Sequence, residues 1–392
     1  MQCLSQAKPE ASSKRTDPSR VTYRPIDPLN AQAFDDFYNL NYDRSVASFE
    51  KVLQRHPDDP FAVNHLLTAV LFRELHRMGV LDPAELAGDN FIAAKHLPPD
   101  PAVKERVQSL VNRAQALEEK KLNQDPTNVD ALYARGVTRG QFAMYTASVE
   151  RAWFSALRNA VGARHDHEKV LELSPGYTDA RLIVGADSFI LGSLSWGMKL
   201  AASMVGLSGN KAKGIEDIEA AANGGGEASV DARFVLVLFL RREGRNAEAL
   251  NVVEGIVPQY PHNLLMALEE GNLSRAVGQN ERAAAVYRRV WQQGKQGWFP
   301  GMHYEAAAFS LGDLLRSEKD YAGAAAAYES VGRSPQTDPA VLQNANLAAG
   351  EMYDLLLKRD LAMSKYEAVL ASNQNSSTAD LARKHMKAAY RE

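Results

Sequence analysis

The residue types best suited to chemistry gather near the middle of the chain. His165, Asp166 and His167 place two imidazoles and a carboxylate in consecutive positions, the raw material of a metal site. Residues two apart on a helix diverge by about 200°, so these two histidines cannot face one ion. The chain has no HExxH and no paired cysteines. The expectation is a solvent-exposed helix start, with no metal and no cofactor. GLSGNKAKG, 206–214, has the glycine spacing of a phosphate loop. It lacks the terminal GKS or GKT and a preceding strand, so it reads as a turn capping a helix. Asp35-Asp36 and Glu269-Glu270 are neighbours in sequence and do not face a common cleft at glycosidase spacing. One enzymatic alternative stays open: a cryptic hydrolase or transferase site combining Asp187, Lys199 and His165 or His167.

A second group suits recognition better than catalysis. Arg241, Arg242, Asn272, Arg275, Asp313, Arg316, Glu351 and Asp354 are polar or charged residues beside the apolar packing positions of their helices. An arginine fork matches a carboxylate through two parallel hydrogen bonds. The chain has 45 basic and 48 acidic residues, a net charge of -3. That balance gives no field drawing it to nucleic acid.

The elements that position these groups read as helices throughout. Residues 33–60 hold two, 61–97 a long apolar one and a shorter one near 83–95, and 102–123 another. A further helix starts at Val129, and a long one is expected over roughly 144–173. The stretch 177–229 is apolar and rich in small residues. Asp187 and Lys199 interrupt it, so it is expected to pack as a helix or helix pair through Gly185, Gly192, Ser195 and Gly197 and not to span a membrane. Trp153 and Trp196 are candidates to line a greasy cavity there, and lipid or small hydrophobic ligand binding is the alternative function it suggests. Trp291 and Trp298 flank a loop read as an exposed patch.

From 230 the rhythm is regular. Gly271, Gly312 and Gly350 each stand twelve residues before Ala283, Ala324 and Ala362. Four residues past each alanine stands Tyr287, Tyr328 or Tyr366, and three further Val290, Val331 or Val369; Ala249 starts a related set with Val253 and Ile256. Glycine in a helix costs about 1 kcal/mol against alanine, so its recurrence argues for close helix packing at those points. Gly136 is the earlier counterpart, with Ala152 sixteen residues later. Ala114, and Ser45 with Phe49 and Val52, mark other second helices.

This register resembles the tetratricopeptide repeat. The resemblance implies an all-α fold, a right-handed superhelix of antiparallel helix pairs (an α-solenoid), and a concave wall carrying the eight polar residues above. It implies a protein- or peptide-binding scaffold without catalytic activity. Leu268 and Phe309 stand where a chaperone-tail clamp would want a cation, so that ligand is not expected. ALYARG, VERAW, DHEKVLELSP and AAGEMYDLL, with GLSGNKAKG, are similar to segments of bacterial tetratricopeptide proteins, many of which carry an export signal.

The expected organisation is an N-terminal tail over 1–30, irregular repeats over 31–176, the apolar glycine-rich insert over 177–229, a regular array over 230–371 and a capping helix over 372–392. Residues 1–20 hold no apolar run of the length a secretory leader needs. The default expectation is cytoplasmic, with a periplasmic or lipid-anchored protein if a leader has been lost. Oligomeric state is left open.

Overall fold

The computed structural model describes residues 21–81, 97–204, 207–335 and 337–392. Among them every regular element is a helix. The tail before residue 21 and the short helix expected near 83–95 fall outside the described residues. The helices are α1 (Pro28–Tyr38), α2 (Tyr42–Arg55), α3 (Pro60–Arg77), α4 (Pro101–Gln124), α5 (Val129–Ser148), α6 (Trp153–Leu173), α7 (Ala180–Ser193), α8 (Trp196–Met204), α9 (Lys211–Asn223) and α10 (Ser229–Arg242). They continue as α11 (Asn246–Ile256), α12 (Leu264–Ala276), α13 (Asn280–Lys295), α14 (Glu305–Ser317), α15 (Tyr321–Val331), α16 (Pro339–Leu355), α17 (Arg359–Ser372) and α18 (Ser377–Lys387).

Short polar residues start them. Asp59, Asp100, Asn128, Asn210, Asn263, Asp320, Asp338 and Ser376 each accept a hydrogen bond from a first-turn amide. Such a cap contributes about 1 kcal/mol. Pro60, Pro101 and Pro339 follow three of them at the first helical position, where no amide proton is needed. The tight turns between paired helices share one device, a residue with positive φ five positions before the small residue of the second helix. It is Gly244 at φ 72° and Gly278 at φ 78°, but Leu40, Lys319 and Leu357 near φ 60°.

The chain divides into two compact units. The first holds residues 21–37, 41–81 and the described residues from 97 to 239; the second holds 38–40 and 240–392. Within the second, α12 packs on α13, α14 on α15 and α16 on α17. Gly271, Gly312 and Gly350 lie at the three crossings, and each faces the ring of Tyr287, Tyr328 or Tyr366. A Cβ on Gly312 or Gly350 would stand 2.5 Å from a ring carbon. The close packing expected at these glycines is therefore an approach of backbone to a tyrosine ring, not of backbone to backbone. Ala249, Ala283, Ala324 and Ala362 are fully buried.

The first unit uses the same register with longer arms. Gly136 on α5 faces His167 on α6. Ala163, four residues before His167, and Val170, three after it, are buried. Ala163 thus holds the place assigned to Ala152, which instead stands at the N-cap of α6. The long helix expected over 144–173 is broken, because Arg151 takes φ 55° and ends α5's continuation. His165-Asp166-His167 is accordingly in mid-helix; Asp166 and His167 are buried, while His165 is exposed. In the 177–229 stretch α7 packs on α9 with two backbones in contact. A Cβ on Gly185 would lie 2.7 Å from the Gly214 carbonyl, and one on Gly214 would lie 2.6 Å from that of Gly185. Ile218 and Ala221 complete the register, both fully buried.

Candidate peptide-binding sites

In the second unit α12, α14 and α16 carry six of the polar residues foreseen from sequence, and Arg241 and Arg242 end α10. Arg241 pairs with Glu269, whose carboxylate also accepts from Asn272 at 3.3 Å. The Tyr287 hydroxyl donates to Asn272 Oδ1 at 2.8 Å and that of Tyr328 to Asp313 Oδ1 at 2.7 Å. Asn272 and Asp313 each directly follow a crossing glycine, so the glycine seats the ring and its neighbour holds the hydroxyl. Burial pushes the Tyr287 hydroxyl up to about 12. Arg242 and Arg275 are exposed.

Arg316, Glu351 and Asp354 are spent differently. Glu351 and Asp354 are buried, not displayed on an open wall. Arg316 donates to Glu351 Oε2 and to the Tyr390 hydroxyl, both at 2.8 Å, and its guanidinium lies 5.4 Å from the Tyr390 ring centre. Burial works against the charge on Arg316, but Glu351 and Tyr390 outweigh it and hold its pKa above the ordinary value. Asp354 accepts from Tyr366 Oη at 2.8 Å, from Arg359 at 2.8 and 2.9 Å, and from the Tyr390 backbone amide at 2.8 Å. Tyr321 donates to the Glu392 side chain at 3.0 Å. After α18 ends, residues 388–392 are non-helical and lie against α14, α15 and α16 through these bonds. They are anchored there by Tyr390, which bonds through both its hydroxyl and its backbone amide.

The first unit contains a second seat, which the sequence did not disclose because residues 1–30 read as a tail. The arm at 21–27 precedes α1 and carries Tyr23, stacked on Phe34 at 4.1 Å, and Arg24. The Arg24 guanidinium lies 4.1 Å from the Phe61 ring centre, 5.3 Å from Tyr177 and 5.7 Å from Tyr133. It donates to Glu227 and Asp130 at 2.7 Å, and the Arg24 amide donates to Glu227 at 2.9 Å. Aromatic faces attract a cation and the carboxylates neutralise it. Burial opposes the charge, yet Glu227 and Tyr177 raise the Arg24 pKa above its ordinary value. Burial also opposes ionisation of Glu227, but His65 and Arg24 hold its pKa below the usual glutamate value.

Beside this seat is a cavity of about 140 Å³ that shares Phe61, His65, Tyr133 and Glu227 with it and reaches Gln141 and His167. His167 donates from Nδ1 to the Ala163 carbonyl at 2.8 Å, and burial lowers its pKa to about 4. The ring is neutral at pH 7, and its Nε2 is an acceptor without a protein partner. The cavity therefore offers acceptors and suits a hydrogen-bond donor. The other candidates for chemistry do not converge. Asp166 is bound by Arg135 and Arg139 at 2.6 Å, Asp187 by Arg164 at 2.7 Å, and Lys199 is exposed on α8. GLSGNKAKG serves packing and capping: Asn210 accepts from the Lys213 amide at 3.0 Å, and Gly209 fits beside the Ser188 carbonyl. Among the described residues no three His, Cys, Asp or Glu side chains are grouped to hold a metal ion. Among them, too, no helix is long and apolar enough to cross a membrane. Trp291 is buried against Tyr304, so it does not form the exposed patch expected of it. Trp153 and Trp196 are not among the residues lining this cavity and stand 49% and 81% exposed.

Residues 268–338 match the family model described as tetratricopeptide repeat. No curated protein matches the chain. Among solved structures, the chain is similar to one described as the APC/C hetero-tetramer Cut9-Hcn1, at 14% identity and a TM-score of 0.44, over 91% of this chain and 55% of that one. It thus spans about half the length of that relative. It is also similar to pilF of Pseudomonas aeruginosa, at 14% identity and a TM-score of 0.38, over 64% of this chain and 97% of that one. A tetratricopeptide repeat protein from Parabacteroides merdae shares 12% identity at a TM-score of 0.30, over 86% and 97% of the two chains. With glycine, alanine, tyrosine and valine in phase through the matched segment, and with paired helices built on that phase, residues 268–338 form tetratricopeptide repeats.

Proposed function

We propose that this protein is a scaffold that binds extended peptide segments of other proteins, without a catalytic centre of its own. The observation that carries the reading is the seat of Tyr390. Arg316, Glu351 and Asp354, chosen from sequence as partner contacts, there surround an extended segment whose side chain and backbone both bond to the wall. A tyrosine anchor supplies a large apolar face with a polar tip and few rotors to freeze. Residues 388–392 act as a tethered occupant, held at an effective concentration that a free peptide must overcome. Arg275, exposed on the same unit, extends the surface available to a longer partner.

The test is a binding titration by fluorescence anisotropy with a labelled peptide of residues 387–392. The Tyr390→Ala protein, whose seat is vacated, is expected to bind at least roughly tenfold tighter than the unaltered protein. Adding Arg316→Ala to that variant is expected to remove the gain. Equal binding by Tyr390→Ala and the double variant, or no binding by either at millimolar peptide, would overturn the reading.

A further inference from the structure

The first unit exposes a cluster of large apolar side chains at one end. Phe154 is 93% exposed, Trp196 81%, Ile190 55%, Leu157 52%, Leu200 52% and Trp153 49%. They come from the first turns of α6, the last turns of α7 and from α8. Arg164 on α6 bonds Asp187 on α7 at 2.7 Å, and the two helices are joined by a short connection, which makes them antiparallel neighbours. Eleven residues back from Arg164 is Trp153, and nine on from Asp187 is Trp196. The register places both at the same end of the pair. Single exposed leucines are ordinary, but two tryptophans and a phenylalanine in one place mark an interaction surface.

We infer that this end of the first unit lies in the interface of an anionic lipid bilayer. The charge around it selects that occupant. Between residues 151 and 165 and between 188 and 215 every charged residue is basic. Arg164 is neutralised by Glu168 and Asp187 and Lys213 by Glu216 and Asp217, so the charge that counts is that of Arg158 and Lys199. Arg158 and Lys199 are exposed beside the apolar residues. Two copies meeting through this face would bring like charges together, whereas anionic headgroups complement them. Tryptophan, with its apolar ring and polar N–H, settles at headgroup depth, and lysine reaches outward along its stem. α8 has nine residues, about 14 Å of helix, far short of a bilayer's hydrocarbon thickness, so it rests in the interface and does not cross. The apolar end is independent of the peptide seats, which lie on other helices.

Sedimentation of the full chain with vesicles tests it, using phosphatidylcholine alone and phosphatidylcholine mixed with phosphatidylglycerol. Binding is expected to be roughly tenfold or more stronger to the mixed vesicles, with a blue shift of tryptophan emission. Phe154→Ser with Trp196→Ser is expected to reduce it by a similar factor, and Arg158→Glu with Lys199→Glu to abolish the preference for anionic lipid. All four positions are exposed, and a thermal melt by circular dichroism checks that each variant is folded. Exposed Leu357 in the second unit supplies the control, since Leu357→Ser should bind as the unaltered protein does. Absence of binding to both vesicles, or binding that the paired variants leave unchanged, would overturn the inference. So would a concentration-dependent doubling of mass in light scattering that Phe154→Ser with Trp196→Ser removes, since the face would then belong to a second copy.

Discussion

At the scale of the residue, the glycine and tyrosine of each pair act as one unit. Gly312 tolerates the Tyr328 ring at a distance that no Cβ could share, and Asp313 then takes the tyrosine hydroxyl. Gly312→Ala gains helix propensity of about 1 kcal/mol. It also forces the buried ring off its seat, at about 1–3 kcal/mol or more. The clash is against a ring held at both ends, so the net expectation is a loss of about 1–2 kcal/mol. Gly255 on α11 provides the opposite case. A Cβ there would meet no neighbour within 4 Å, and Gly255→Ala is expected to stabilise by about 0.5–1 kcal/mol. Urea denaturation of both variants measures the difference, and a shared sign would show that ring contact does not govern these glycines.

At the scale of the element, α3, α4 and α5 are tied by a buried polar knot. Thr138 Oγ1 on α5 lies 2.5 Å from Glu118 Oε1, 2.7 Å from Asn64 Oδ1 and 3.2 Å from the Ala134 carbonyl. The last two only accept, and a hydroxyl has one proton. A protonated Glu118 donating to Thr138 satisfies the geometry, and burial does raise the Glu118 pKa from 4.5 to about 7. The folded protein then keeps a proton up to about pH 7 that the unfolded chain releases near 4.5, so this stability is lost as pH rises through that window. His167 acts in the other direction. Its folded value of about 4 lies below the ordinary 6.5, so its contribution is lost as pH falls between them. Glu118→Gln keeps the acceptor and removes the titration. Its stability advantage over the unaltered protein is expected to grow from near zero at pH 4 to about 1–3 kcal/mol at pH 8. Urea denaturation across that range checks it, and a constant difference would contradict a protonated Glu118.

The same elements show what the sequence disclosed. In α12 to α17 the interval from glycine to alanine is constant, so pairing could be read from phase alone. In α5 and α6 the interval runs from Gly136 to Ala163, and in α7 and α9 from Gly185 to Gly214. The helices there continue past the crossing, and a fixed interval led to Ala152. Nothing in the local pattern marked the break at Arg151, a positive-φ residue that is neither glycine nor asparagine. Asn272 and Asp313 were visible as polar positions, but their bonds to the tyrosines depend on how deeply each ring sits over its glycine. The seat of Arg24 joins positions as far apart as 24, 130 and 227, and no periodicity links them.

At the scale of the whole molecule, each unit grips a non-helical stretch of the chain with an aromatic or arginine anchor. Arg24 fills an aromatic and acidic seat in the first unit, and Tyr390 fills a seat of arginine and carboxylates in the second. Repeats of this kind bury apolar faces between neighbours and leave a polar wall, and the proposed function rests on what that wall holds. Most depends on Tyr390 being held there, and the hydrogen exchange of its amide reports on this directly. That amide donates to Asp354 at 2.8 Å. It is predicted to exchange at least about a hundredfold more slowly than in a free peptide, and to lose that protection when excess peptide of residues 387–392 displaces it. Exchange at the free-peptide rate in the unaltered protein would contradict the account.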